Sequence, residues 1–150
     1  MLSISADKID SLFESIASSY NLYIPVDNES GKAEFEQWEK DKKLSSALKT
    51  VRSAKDFFFP KVENLVNYKR EGKSITVVDP RKDLSDFVVF GVRGCDAASF
   101  AIIDDVYLKM DPVDSYYKNR RDHGTVVTLA CTEPAQTCFC STYNLSLIHI

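Results

Sequence analysis

Phe87-Val88-Val89-Phe90-Gly91-Val92 and Thr125-Val126-Val127-Thr128-Leu129-Ala130 are short β-branched runs of the continuous kind carried by strands covered on both faces. Both are expected in the centre of a sheet. Between them, residues 96–108 set Phe100, Ile103 and Tyr107 on one helical face and turn Asp104 and Asp105 away, and residues 113–121 supply a second helical piece. Strand, helix and strand in this order predict a parallel strand pair joined by a right-handed crossover. The expected fold class is α/β: an N-terminal helix and hairpin elements followed by a βαβ unit with a parallel strand pair.

Upstream, residues 6–20 place Ile9, Leu12, Phe13, Ile16, Ala17 and Tyr20 at the spacing of one helical face, which predicts an amphipathic helix. Residues 22–26 read as a short strand whose Pro25 confines it to an edge or an end. The turn formers Asp27-Asn28-Glu29-Ser30-Gly31 follow, and residues 32–38 are the candidate hairpin partner. Residues 39–55 carry eight charged side chains and few large apolar ones, so they read as a solvated connection or a weak helix with no assigned function. Phe57-Phe58-Phe59-Pro60 reads as a core anchor. Residues 64–70 and 74–78 flank Glu71-Gly72-Lys73, where glycine can take positive φ, and predict a hairpin with a helix over 62–70 as the alternative.

With 150 residues, 44% apolar and 27% charged, the chain has the size and composition of one globular domain. No apolar run exceeds four residues, far below the roughly 18 that mark a membrane span. Nineteen basic against 22 acidic side chains give a net charge of −3 with interleaved signs, so neither nucleic acid nor an anionic membrane is an expected partner. The opening Met1-Leu2-Ser3-Ile4-Ser5-Ala6-Asp7 has no signal-peptide pattern, and the expected location is the cytoplasm, where thiols stay reduced.

The chemistry concentrates on Cys95, Cys131, Cys138 and Cys140. Parallel neighbours end at the same sheet edge, so Cys95, three residues after the first strand, and Cys131, directly after the second, should emerge together at the carboxyl edge. Cys131-Thr132-Glu133-Pro134-Ala135-Gln136-Thr137-Cys138-Phe139-Cys140 then adds two thiols on a loop that Pro134 helps to fold back. Cys95 also falls at a helix start, where unpaired N–H groups favour thiolate, and Arg93 adds to this. Four thiolates are the usual complement for a 4Fe-4S cluster or a structural zinc. The C-x6-C-x-C spacing matches neither zinc ribbons nor bacterial ferredoxins. Three readings therefore stay open: one site joining all four, small buried hydrophobes, and zinc or redox pairing by subsets.

Phe90-Gly91-Val92-Arg93-Gly94-Cys95-Asp96, the Asp-bearing helix after it and Ser115-Tyr116-Tyr117-Lys118-Asn119-Arg120-Arg121 together resemble the amino-terminal region of the 4Fe-4S dicluster electron-transfer subunits. The most specific part is Cys131-Thr132-Glu133-Pro134 with Thr137-Cys138-Phe139-Cys140. That family comprises the beta subunits of cytoplasmic sulfhydrogenases (Ni-Fe hydrogenases) and the A subunit of anaerobic sulfite reductase. The resemblance covers almost the whole chain, including the helix of residues 6–20 and Phe58-Phe59-Pro60. It implies a non-catalytic subunit that relays electrons between a flavin or ferredoxin module and a hydrogenase or sulfite-reductase partner, with a flavin-containing subunit among its partners. Gly94 stands where the family usually has proline, and His123 where an acidic residue is common.

Family members continue into a ferredoxin-like domain with two C-x2-C-x2-C-x3-C-P runs, which this chain does not contain. Residues 1–144 are therefore read as the amino-terminal α/β domain. Residues 145–150 fit no family pattern and resemble translated adapter read-through, a non-native tail in which His149 is no ligand. Other constellations are weaker. His123 has no patterned partner, adjacent Asp104 and Asp105 point to different sides of a helix, and Gly91 to Gly94 lacks the glycine spacing of a phosphate loop. The alternatives to the iron-sulfur subunit are a zinc-binding module and a metal-free docking scaffold.

Overall fold

The computed structural model describes residues 4–143 and 145, so most of the proposed tail, residues 146–150, lies outside the described residues. Helix α1 (Ile9–Ala17) leads into strand β1 (Asn21–Asp27), which turns through Gly31 into β2 (Ala33–Gln37). A hairpin of β3 (Asn67–Glu71) and β4 (Ser74–Val78) stands apart as its own two-stranded sheet, with Gly72 at φ 62° in its turn. Then come β5 (Phe87–Arg93), α2 (Gly94–Tyr107), α3 (Ser115–His123) and β6 (Gly124–Leu129). The main sheet has the order β2-β1-β5-β6, with β1, β5 and β6 parallel and β2 antiparallel at one edge. The α/β class and the parallel β5–β6 pair agree with expectation. The helix alternative over 62–70 does not form.

Alternation along β1 and β5 sorts the core into two faces. Leu22, Ile24, Val88 and the partly buried Phe90 and Val127 pack against Phe13 and Ile16 of α1. Tyr23, Phe87, Val89, Val92 and Val126 face the other way, onto Phe58, Phe100 of α2 and Tyr117 of α3. Each fully buried aromatic or branched side chain contributes roughly 1.5–3 kcal/mol, and a sheet covered on both faces collects this twice.

Two expectations are corrected. Strand β6 is an edge strand, not a central one, and its Thr125 and Thr128 are exposed; Val126 and Val127 cover opposite faces with or without a further strand, so the run alone does not tell the two cases apart. Pro25 is not on an edge strand, because β1 lies between β2 and β5. Pairing with β5 covers only Asn21 to Tyr23, and the Pro25 carbonyl accepts the Ser45 N–H at 2.8 Å instead. Backbone groups of one strand residue point to the same side, so the donor that proline lacks would have faced this opening.

Gly91 of β5 lies against the Pro25 ring. It sits at φ 84°, and a Cβ there would lie 2.9 Å from Pro25 Cδ. The β5–β6 register skips it, passing from Phe90↔Val127 to Val92↔Thr128. This one-residue bulge restores Val92 to the face of Phe87 and Val89 and sets the direction of Arg93 and the start of α2. At the other end of the pair, Gly124 lies beneath two buried rings: a Cβ would meet Phe58 at 2.3 Å and Phe87 at 2.6 Å. Gly124→Ala should therefore destabilise the chain by about 1–3 kcal/mol through overpacking, read as a lower midpoint in urea.

Asp104 does not turn to solvent as expected. It accepts the Tyr117 hydroxyl at 2.6 Å and a two-point contact from Arg121 at 2.9 and 3.0 Å, and Arg121 also lies over the rings of Phe58 and Phe100. The network locks α3 to α2.

Candidate functional site

The carboxyl ends of β5 and β6 lie side by side, and the cysteine-bearing segments leave from there. Cys95 occupies the first turn of α2. Cys131 follows β6, where the Arg93 guanidinium comes within 4.0 Å of its sulfur and donates to the Ala130 carbonyl at 3.3 Å. The loop then folds back: the Cys138 N–H donates to the Ala135 carbonyl at 2.9 Å, and the Ala135 N–H donates to the Cys138 sulfur at 3.3 Å. A 3-10 turn, Cys140–Tyr143, closes the segment.

Cys95, Cys138 and Cys140 line one cavity of about 530 Å³, together with the apolar side chains of Ile102, Phe139 and Tyr143. Cys131 is not on its wall. All four cysteines are free thiols. Among the described residues, no three His, Cys, Asp or Glu side chains are gathered as a metal-ligand group. The residues fit an iron-sulfur group in donor type and in the N–H aimed at the Cys138 sulfur, since thiolates and hydrogen bonds to sulfur are what such clusters use, while the exposed Ile102, Phe139 and Tyr143 leave the cavity open to solvent.

The expected bias of Cys95 toward thiolate is overturned. Although Cys95 is exposed, partial desolvation pushes its thiol up, Asp96 and Cys140 push it further, and the backbone N–H groups of Asp96 and Cys95 are outweighed. Asp96 itself is held by Lys55 at 2.6 Å and Ser53 at 2.9 Å.

Those last two residues belong to the segment read from sequence as a solvated connection. It is a strap over the sheet. Ser45 bonds Asp27 at 2.5 Å, the Ala47 carbonyl accepts Arg93 at 2.8 Å, Lys49 donates to Thr137 at 2.6 Å, and Val51 bonds the edge strand at Ala33. Sequence reading missed Lys49, Ser53 and Lys55, because lysines among polar residues carry the same local pattern whether they face water or a distant loop.

A second cavity of about 440 Å³ lies between Glu63, Arg81, Tyr116 and Arg120. Its arginines are already paired, Arg81 with Asp79 and Arg120 with Glu63, and Arg81 holds the Asp79 carboxyl down at about 2. The His123 Nδ1 lies 2.8 Å from the Asn119 carbonyl within its own helix. No described helix is long and apolar enough to cross a membrane.

No family model matches the chain, and no solved structure matches it. Among curated proteins, the chain is 35% identical over 92 residues to Sulfhydrogenase 2 subunit beta of Pyrococcus furiosus, a match that covers 61% of this chain. The aligned part spans 25% of that relative's length. A sulfhydrogenase beta subunit is one of the two subunit types named by the resemblance read from the cysteine block, so this chain is similar to a hydrogenase beta subunit over most of its length.

Proposed function

We propose that the chain is the amino-terminal α/β part of an iron-sulfur electron-transfer subunit, working in the cytoplasm with the other subunits of a hydrogenase. The finer reading is a relay between a flavin or ferredoxin module and a hydrogenase or sulfite-reductase partner. The observation that carries it is the shared cavity of Cys95, Cys138 and Cys140 at the edge where β5 and β6 end together.

Cys95, Cys131, Cys138 and Cys140 are the proposed ligands of one 4Fe-4S cluster. Once bound, such a cluster accepts and passes on single electrons. The chain's own residues have separate roles: the Ala135 N–H steadies the Cys138 sulfur, and Arg93 places positive charge beside Cys131. Nearby positive charge and N–H···S bonds raise a cluster's potential. Because no three of the thiols stand at ligand spacing, this reading requires the loop of residues 131–140 to close and bring Cys131, Cys138 and Cys140 together around Cys95.

Anaerobic purification followed by a visible spectrum tests the reading. Expected is broad sulfur-to-iron absorption that reductant bleaches, with most of the iron lost in Cys138→Ser. Iron content unchanged in that variant removes Cys138 from the ligand set. The second reading is a zinc-binding or metal-free docking scaffold without redox activity, and the lack of a gathered ligand group among the described residues favours its metal-free form. That reading predicts a colourless protein.

A further inference from the structure

We infer that the strap of residues 45–55 is the clasp of the cysteine site, and that Lys49 is the positioning residue of the Cys138–Cys140 loop; the part that concerns a bound cluster rests on the reading proposed above. Three separate segments carry the cysteines, and the strap is tied to each of them. The Ala47 carbonyl accepts Arg93, which in turn reaches Ala130 and the Cys131 sulfur. Lys49 Nζ donates to Thr137 Oγ1, next to Cys138 and 88 residues away in sequence. Ser53 and Lys55 hold Asp96, the neighbour of Cys95. The strap is itself anchored at Pro25 and at Ala33 of the sheet.

Among the described residues lining the cysteine cavity, Lys49 is the one cation. It therefore has two separable effects. Its hydrogen bond orders the loop, and its charge offsets the negative charge that several thiolates gather around a metal centre. An ordered loop shields its own thiols from reagents, and a fixed positive charge beside a cluster favours the reduced state.

Four chains separate these effects: unsubstituted, Lys49→Met, Lys49→Arg and Thr137→Val. Lys49 and Thr137 are exposed, so the substitutions leave the core untouched. In the metal-free chains, alkylation of Cys138 and Cys140 by iodoacetamide is followed by mass spectrometry. Expected is a roughly three- to tenfold faster reaction in Thr137→Val, which frees the loop and keeps the charge, and a smaller gain in Lys49→Met, where loss of the positive charge also lowers the thiolate fraction. The rate at Cys95 should stay unchanged, and Lys49→Arg should restore the slow rate. In iron-reconstituted chains, Lys49→Met should shift the midpoint potential negative, while Thr137→Val, which keeps the charge, should not.

An alkylation rate in Thr137→Val equal to that of the unsubstituted chain overturns the positioning role whatever the iron content. Faster alkylation in a chain that takes up no iron overturns the cluster reading alone and leaves the clasp standing. A midpoint potential that moves equally in Lys49→Met and Thr137→Val overturns the charge role.

Discussion

Gly91→Ala is expected to lower stability by about 2–5 kcal/mol, the sum of a left-handed conformation costing about 1–2 kcal/mol and overpacking of about 1–3 kcal/mol. The first part arises because Gly91 sits at φ 84°, where a Cβ crowds the neighbouring carbonyl. The second arises because that Cβ would lie 2.9 and 3.0 Å from the ring carbons of Pro25, which the strap holds from behind through Ser45. For a chain of this length the loss corresponds to roughly 5–20 °C in thermal midpoint by circular dichroism. Gly72→Ala is the control. Gly72 shares the positive φ, at 62°, but has nothing within 4 Å of a built Cβ, so it should cost about 1 kcal/mol. If the two variants melt together, the contact with Pro25 carries no energy and the bulge is set by φ alone. Gly91→Ala should also disturb the cysteine site, since the bulge sets the direction of Arg93.

Asp104→Ala should cost about 2–4 kcal/mol. Removing one partner of a fully buried pair costs about 3–5 kcal/mol, and the side chains of Asp104 and Arg121, 23% and 25% exposed, keep some access to water, which discounts it. The loss leaves the Arg121 guanidinium over the Phe58 and Phe100 rings without its carboxylate and the buried Tyr117 hydroxyl without an acceptor. Asp104→Asn keeps an acceptor for Tyr117 and should cost less. The pH dependence has a definite sign. Burial raises the Asp104 carboxyl, but Arg121 and Tyr117 outweigh it and hold it below the ordinary 3.8. A carboxyl lowered in the folded state contributes stability above its unfolded value and loses it as pH falls through the folded one, so this contribution fades below about pH 4. Tyr117 is pushed above its ordinary 10.0, chiefly by burial and then by Asp104. A phenol raised in this way contributes fully below about pH 10 and loses its contribution as pH climbs beyond it. Unfolding in urea across pH 3–11 checks both limbs. A flat difference between the unsubstituted chain and Asp104→Ala over that range rules out the network as their source.

Most elements were legible because their signals are local. Residues 6–20 repeat apolar side chains at helical spacing, and Ile9–Ala17 forms that helix. Glu71-Gly72-Lys73 needs a residue that accepts positive φ, and the turn forms there. The parallel pairing of β5 and β6 followed from two runs separated by helical sequence, and with it the meeting of Cys95 with the Cys138 and Cys140 loop at one edge. Where reading failed, the deciding partner was remote. Pro25 is tolerated inside the sheet because β1 has no pairing with β5 beyond Tyr23 and the side-chain-free Gly91 makes room for its ring, and no local pattern in residues 22–26 contains that. Asp104 looked solvated because its partners Tyr117 and Arg121 lie on another helix.

Taken alone, then, the order of residues determined the α/β class, the identities of the strands and helices, and the four thiols with their place after two parallel strands. These depend on periodicity and on the handed, short connections of the chain, which act within a few tens of residues. The tertiary structure alone decided that residues 45–55 cross over the sheet edge and hold every cysteine-bearing segment. A hydrogen bond such as that from Lys49 to Thr137 spans 88 residues and leaves no trace in the spacing of either partner, because a lysine has the same local propensities whether its ammonium meets water or a distant hydroxyl.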